Sequence, residues 1–296
     1  MPIAGAHNET DRLLEAIVRC PESELDRITE REPMQALWHS RPDPERAKRQ
    51  HKELTTILTD NGVRVVNITG EFEYPNLCFC RDQFITMPKG HLLSCFAHPC
   101  RNGEEAIAED ALLSVGAAAS WPTSCSGPYE GGDFVLIGDS VMLAGISGRT
   151  YRESIEGLGP LFNQGGVRAV ISLPVPDTIL HLDCGVLPID ERRILTAIPI
   201  PSATRHFLEH ELGFSILSIP LSWTGAAGLG LNALYLAPGL ILISNSASVS
   251  LVQLLRDAGV RPLFVDVSEF EKGGGSIHCL VAPVSRAPAA ENRADT

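Results

Sequence analysis

Gly62-Val63-Arg64-Val65-Val66 returns as Gly166-Val167-Arg168-Ala169-Val170 and as Gly259-Val260-Arg261-Pro262-Leu263, with a weaker relative at Gly213-Phe214-Ser215-Ile216-Leu217. In chain order the four copies are separated by 104, 47 and 46 residues. The first interval is about twice the others, which predicts a further unit inside it. The helix-like stretch from Glu104 to Ser120, followed by Trp121, is the candidate. The chain then reads as five units of roughly 50 residues, a period typical of repeat architectures.

Each unit has the same grammar. A helix-like stretch comes first, as in Arg49 to Thr59, Tyr151 to Leu161, Ser202 to Glu211 and Ser248 to Ala258. Gly or Asn-Gly then stops it, as a C-terminal cap does. A β-branched apolar run follows, such as Val63 to Ile68 or Val167 to Leu173. Hairpin-like pieces come next, Phe134 to Leu143 and Leu234 to Ile243, with turn residues in the middle. Five α/β units closed in a ring would bury their apolar faces against neighbours and leave no sheet edge. An open α/β sheet with chance similarity between segments is the alternative.

The 296 residues suit one large domain or two small ones. No linker divides them. Residues 1–284 are therefore expected to form one domain, and 285–296, rich in Ala, Arg and Asn, a frayed tail. A formal net charge of −12 disfavours nucleic acid and anionic membrane as partners. It permits a small cationic substrate. No apolar run is long enough to span a membrane. The opening MPIAGAHNETDRLLEA lacks a basic start and an apolar core, so a cytoplasmic location is expected. The eight cysteines do not look like a disulfide framework in a chain of this length. A homo-oligomer is compatible with the sequence, which does not decide the point.

Four segments combine acids, His or Cys with glycine or turn residues: Asn76 to Asp82, Glu130 to Asp133, His181 to Asp183 and Gly273 to Cys279. They fall in different units, so a ring would bring them to one pocket. Three glycines before His278-Cys279 let the backbone turn tightly, and a cysteine just after could be presented as a nucleophile. A cationic substrate beside it would favour the reactive thiolate. A small buried core residue is the alternative for Cys279. On a strand, His181 and Asp183 would share a face, joining a proton shuttle to a carboxylate able to grip a guanidinium. A surface ion pair is the alternative there, and Arg81-Asp82 has the same ambiguity. Arg149-Thr150, after Gly145-Ile-Ser-Gly, could grip an anionic group. Cys78-x-Cys80 lacks the spacing of structural zinc sites, so no metal is expected. Neither a Walker loop nor GxGxxG after a strand is present. Gly225 to Gly230 reads as a flexible loop.

Taken in order, Pro75 to Phe84, Glu130 to Thr150, His181 to Asp183, Asn232 to Gly239 and Gly273 to Cys279 resemble the motifs of the guanidine-modifying (pentein) superfamily. Its members include arginine deiminases, dimethylarginine dimethylaminohydrolases and amidinotransferases. The likeness runs from Glu9 to about Val284. It implies a five-bladed α/β propeller with pseudo-fivefold repeats. It also implies hydrolysis of a guanidine C–N bond in arginine, methylated arginine or a related compound, with no cofactor. Cys279 would attack the guanidinium carbon, His181 would protonate the leaving amine and then activate water, and Glu130 would orient His181 or a substrate nitrogen. Asp82 and Asp183 would hold the guanidinium. Asn76, Arg101 and Arg149 complete the implied substrate-binding set, with Arg149 matching a carboxylate-binding arginine of the family. Asp183 favours the deiminase branch, and the short length favours the dimethylaminohydrolase branch. His278 beside Cys279 is similar to the amidinotransferases, whose transfer of the amidino group to an amine is the alternative activity. Gln83 stands where the family often has Pro, and His98 stands roughly where a substrate-gripping arginine is expected.

Overall fold

In the computed structural model, which describes residues 5–117, 119–120, 126–225 and 227–287, each recurring glycine closes a helix and turns the chain into a strand. The φ angles are 81° at Gly62, 84° at Gly166, 73° at Gly213 and 85° at Gly259. That left-handed region carries no steric penalty only for glycine. Gly116, at 74°, plays the same part in the unit hidden in the long interval. Trp121 lies outside the described residues.

The five units build five three-stranded sheets of one pattern. The first contains β1 (Leu13–Val18) and β2 (Arg64–Asn67), parallel and joined across α1 (Pro44–Asp60). The second has β3 (Phe84–Met87), β4 (Gly90–Leu93), α2 (Glu104–Ser114) and β5 (Ala119–Ser120). The third has β6 (Phe134–Ile137), β7 (Val141–Ile146), α3 (Arg152–Gly157), α4 (Gly159–Gln164) and β8 (Ala169–Pro174). The fourth has β9 (Val186–Pro188), β10 (Arg193–Thr196), α5 (Ser202–His206) and β11 (Ser215–Ser218). The fifth has β12 (Leu234–Ala237), β13 (Leu240–Ser244), α6 (Val249–Asp257) and β14 (Arg261–Val265). Two short helices, α7 (Ser268–Glu271) and α8 (Ile277–Leu280), lead to β15 (Ala282–Arg286), which returns to pair with β1. In every sheet the central strand pairs antiparallel with one neighbour and parallel with the other. The parallel step needs a crossover, and the helix supplies it.

Two expected helices depart from their sequence pattern. The stretch from Tyr151 breaks at Leu158, between Gly157 and Gly159-Pro160, where proline supplies no backbone donor. The stretch from Ser202 is α-helical to His206 and widens into a π turn over Phe207–Glu211. The tail boundary at 284 also moves. Ser285 and Arg286 belong to β15, and Arg286 is buried, donating through Nη1 to the carbonyls of Asp11 at 2.7 Å and Tyr235 at 2.9 Å. Residues 288–296 lie outside the described residues.

The apolar core is divided into clusters shared by pairs of sheets. Ile85 and Met87 pack with Phe134 and Leu136, whereas Val135 and Ile137 pack with Val186 and Ile194. Leu187 and Leu195 meet Tyr235 and Ile241, while Leu234 and Leu236 meet Ala16 and Val18. Ile17 points the other way, to Phe84 and Leu93. Alternate residues along one strand thus serve two neighbouring sheets, which is why these strands read as continuous apolar runs instead of alternating ones. Among the described residues no helix is long and apolar enough to cross a membrane.

Candidate active site

Every sheet is entered through a tight turn carrying polar side chains. Cys80–Gln83 precedes β3, Gly131–Asp133 precedes β6, Leu182–Cys184 precedes β9 and α8 precedes β15. Before β12 the Asn232 amide closes a turn on the Leu229 carbonyl at 2.9 Å. These five turns supply Asp82, Glu130, His181 with Asp183, Asn232 and Cys279. The strand expected at His181 to Asp183 is a turn instead. Leu182 donates its amide to Asp133 Oδ1 at 2.9 Å, which breaks the extended run and sends His181 and Asp183 into different clusters.

Cys279 is buried, with its sulfur in the wall of a cavity of about 330 Å³ that Asp82, Arg149 and Asn76 also line. Asn232 holds it from two sides. Its Nδ2 donates to Cys279 Sγ at 3.1 Å, and its Oδ1 accepts the amides of Cys279 and Ser276, both at 3.1 Å. The cavity floor needs its glycines: a Cβ on Gly275 would lie 2.5 Å from the Phe79 ring and 3.1 Å from the Cys279 Cβ.

His181 is buried behind Asp82. Its Nε2 donates to Glu130 Oε2 at 2.9 Å, and its Nδ1 faces Asp82 Oδ1 at 3.4 Å. Burial alone would lower its pKa, but Asp82, the Glu130 hydrogen bond and Asp133 outweigh it and hold the imidazolium well above its ordinary range. The same contact holds Glu130 below the carboxylate range against the opposing effect of burial. Asp82 Oδ1 and His181 Nδ1 have no hydrogen-bond partner among the described residues. Both atoms are buried and face each other at 3.4 Å. Gly132 makes this approach possible, because a Cβ there would sit 2.7 Å from His181 Nδ1 and 2.9 Å from Asp82 Oδ1.

Asp183 lies on the other side of Cys279, with Oδ2 3.9 Å from the sulfur. Both of its oxygens are engaged: Oδ2 accepts from His278 Nδ1 at 2.7 Å, and Oδ1 accepts from the Cys184 thiol at 3.4 Å. His278 Nε2 in turn faces Glu9 Oε2 at 3.5 Å, and Arg81 and Arg286 flank that carboxylate. Burial would raise Asp183 and Glu9, yet His278 outweighs it and lowers both. His278 itself is raised, because Asp183 and Glu9 overcome its burial. The Cys279 sulfur, burial and Asp183 push the Cys184 thiol well up.

The remaining expected residues take distinct places. Arg149 is 16% exposed in its side chain, lines the cavity and touches Glu130 through Nη1 at 3.4 Å. Arg101 reaches the cavity but is already occupied. Its Nη1 donates to Asp82 at 2.6 Å, its Nη2 to Glu104 at 2.8 Å, and its Nε also contacts Glu104. Its geometry is that of a brace for Asp82, which differs from the expected grip on substrate. Asn76 lines the cavity while donating to the Ala36 carbonyl at 2.9 Å. His98 accepts the Cys100 amide, and Gln83 donates to Leu77. The Arg81-Asp82 pair is buried, not superficial. Gly225 to Gly230, expected as a flexible loop, supplies cavity wall through Ala227, Gly228 and Leu229, while Ala226 lies outside the described residues.

Two triads bring metal-type ligand atoms within 4.8 Å of one another, Asp183-Cys184-Cys279 and Asp82-Glu130-His181. Cys78 and Cys80 belong to neither. They are buried among apolar side chains, and burial raises both thiols. Asn232, Glu104 and Glu9 were not identified from the sequence as site residues. The unit register held a signal for the first, since Asn232 stands two residues before its sheet, as Asp82 does.

The arginine deiminase family model matches residues 73–212. The chain is 28% identical over 242 residues to the uncharacterized protein YkgA of Bacillus subtilis, covering 81% of this chain and 80% of that one. It is 26% identical over 223 residues to an N(G),N(G)-dimethylarginine dimethylaminohydrolase of Streptomyces coelicolor, covering 75% and 80%. In fold it is similar to SxtG, an amidinotransferase from Microseira wollei, with a TM-score of 0.76 at 18% identity over 97% of this chain and 98% of that one.

Proposed function

We propose that this chain, which belongs to the guanidine-modifying (pentein) superfamily, hydrolyses a guanidine C–N bond through a covalent adduct on Cys279. The observation that supports this most is the pairing of two halves on one cavity. A sulfur held by Asn232 lines it together with a carboxylate, Asp82, which pairs with the His181 imidazole buried behind it. A guanidinium held in the cavity by the Asp82 carboxylate would present its planar carbon to the sulfur. Thiolate attack forms the C–S bond. His181, charged in the resting site, gives its proton to the departing amine nitrogen as the C–N bond breaks. Water then loses a proton to His181 and attacks the amidino carbon, and the C–S bond breaks to return the thiolate and a ureido product. Splitting the substitution this way replaces one difficult displacement with two easier ones.

The same reading takes the cyclic order of the shared core clusters as support for a five-bladed α/β propeller, with the cavity at one end of its axis. The test is incubation with arginine, methylarginines and agmatine, with products identified by mass spectrometry. Ammonia or an alkylamine plus a ureido product is expected, and Cys279→Ala should abolish it. Amidino transfer is separated by adding acceptor amines: new guanidines in place of ureido products would replace the hydrolytic reading.

A further inference from the structure

The buried carboxylates at and behind the cavity are matched to cations, Asp82 and Glu104 to Arg101, Glu130 to His181 and Arg149, Asp183 to His278, and Asp177 on the cavity rim is solvent-exposed. Glu271, at the end of α7, is different. It lines the same cavity, yet its partners are hydroxyls: Oε1 accepts from Ser244 Oγ at 2.6 Å, Ser246 Oγ at 2.7 Å and Ser276 Oγ at 3.4 Å. Hydroxyls fix a carboxylate in place without cancelling its charge. Ser276 also donates its amide to the Asn232 oxygen that holds the Cys279 amide, so Glu271 is tied through two residues to the reacting sulfur. Arg149 lines the same cavity, and its one ion pair among the described residues is with Glu130.

We infer that Glu271 is a specificity-determining residue that receives the α-ammonium of an α-amino acid substrate, while Arg149 meets its α-carboxylate. This rests on the guanidine-hydrolase reading and narrows it. A zwitterionic head places one charge against each wall residue. Agmatine would leave Arg149 unmatched, and a guanidino acid without the amine would leave Glu271 unmatched. An unpaired charge in a partly desolvated wall weakens binding.

The experiment compares kcat/KM of wild type and Glu271→Gln on L-arginine, 5-guanidinopentanoate and agmatine, with thermal melting as a check on folding. Gln keeps an oxygen for the serine hydroxyls and removes the charge. The variant should lose about 10- to 100-fold on arginine, mainly in KM, the scale of one charged hydrogen bond. On 5-guanidinopentanoate it should stay within about twofold, because that substrate carries no ammonium for the lost charge to meet. Equal losses on both substrates, no loss on arginine, or wild-type preference for agmatine over arginine would each overturn the inference while leaving guanidine hydrolysis standing. Wild-type protein that hydrolyses no guanidine would overturn the parent reading and this one together.

Discussion

Replacing Asn232 by Asp changes one atom, and that atom faces the sulfur at 3.1 Å. The remaining oxygen can still accept the amides of Ser276 and Cys279, so the turn before Cys279 keeps its hydrogen bonds. The sulfur, however, exchanges a donor for a second negative charge. Two unit charges at that separation repel by about 5 kcal/mol at an effective dielectric of about 20, on top of about 1.5–3 kcal/mol for the lost bond to a charged acceptor. Protonation of the new carboxyl relieves part of this. We therefore expect the thiolate to lose about three orders of magnitude in reactivity at pH 8. The assay is the rate of iodoacetamide alkylation at Cys279, read by peptide mass spectrometry, beside kcat/KM on the substrate found in the guanidine screen. Asn232→Ala is the control. It leaves two buried amides without a partner, at about 1–3 kcal/mol each, so its main effect should be on melting temperature. If Asn232→Asp alkylates and turns over within about tenfold of wild type, the donor on sulfur is not what sustains its reactivity, and the reasoning fails.

Glu130→Gln removes one of the carboxylates that hold His181 protonated, so the His181 pKa should fall and the alkaline limb of the kcat/KM profile should move to lower pH by about 1–2 units; a pH–rate series checks it, and an unmoved limb would show that His181 is not the titrating acid. Gly132→Ala places a methyl against His181 and Asp82, and a displacement of about 1 Å there should cost about 100-fold in kcat with little change in melting temperature. Ser248 caps α6 by accepting the Leu251 amide at 3.1 Å, so Ser248→Ala should lower unfolding free energy by about 1 kcal/mol in urea titration while leaving turnover untouched.

The repeat was legible because a helix that must stop and turn into a strand makes a local demand, and only glycine meets it cheaply. Gly62, Gly166, Gly213 and Gly259 declared it openly, whereas Gly116 was recoverable only from the doubled interval. The polar segments were legible as candidates for the same reason: carboxylates beside glycine do not suit a core. Their geometry was not, because it depends on partners far along the chain. His181 and Asp183 part company through an amide bond from Leu182 to Asp133, which no alternation pattern encodes. Arg101 is a half-way case. The i,i+3 spacing to Glu104 is a signal for an ion pair that the reading of Arg101 as substrate-binding passed over, and the second partner, Asp82, is visible only once the chain has folded.

The strand that follows Cys279 is also the one that completes the first sheet, with Leu13 opposite Arg286. The seating of the Cys279 thiol is thus joined to the seam between β15 and β1. The entropy of closing so long a loop grows slowly with length, so the cost of this arrangement falls on folding time more than on final stability. Until that seam forms, a growing or half-unfolded polypeptide carries every acid of the cavity but no poised sulfur. On the proposed reading a reactive thiol would appear only once β15 has paired with β1, and its appearance would serve as the clock by which assembly is timed.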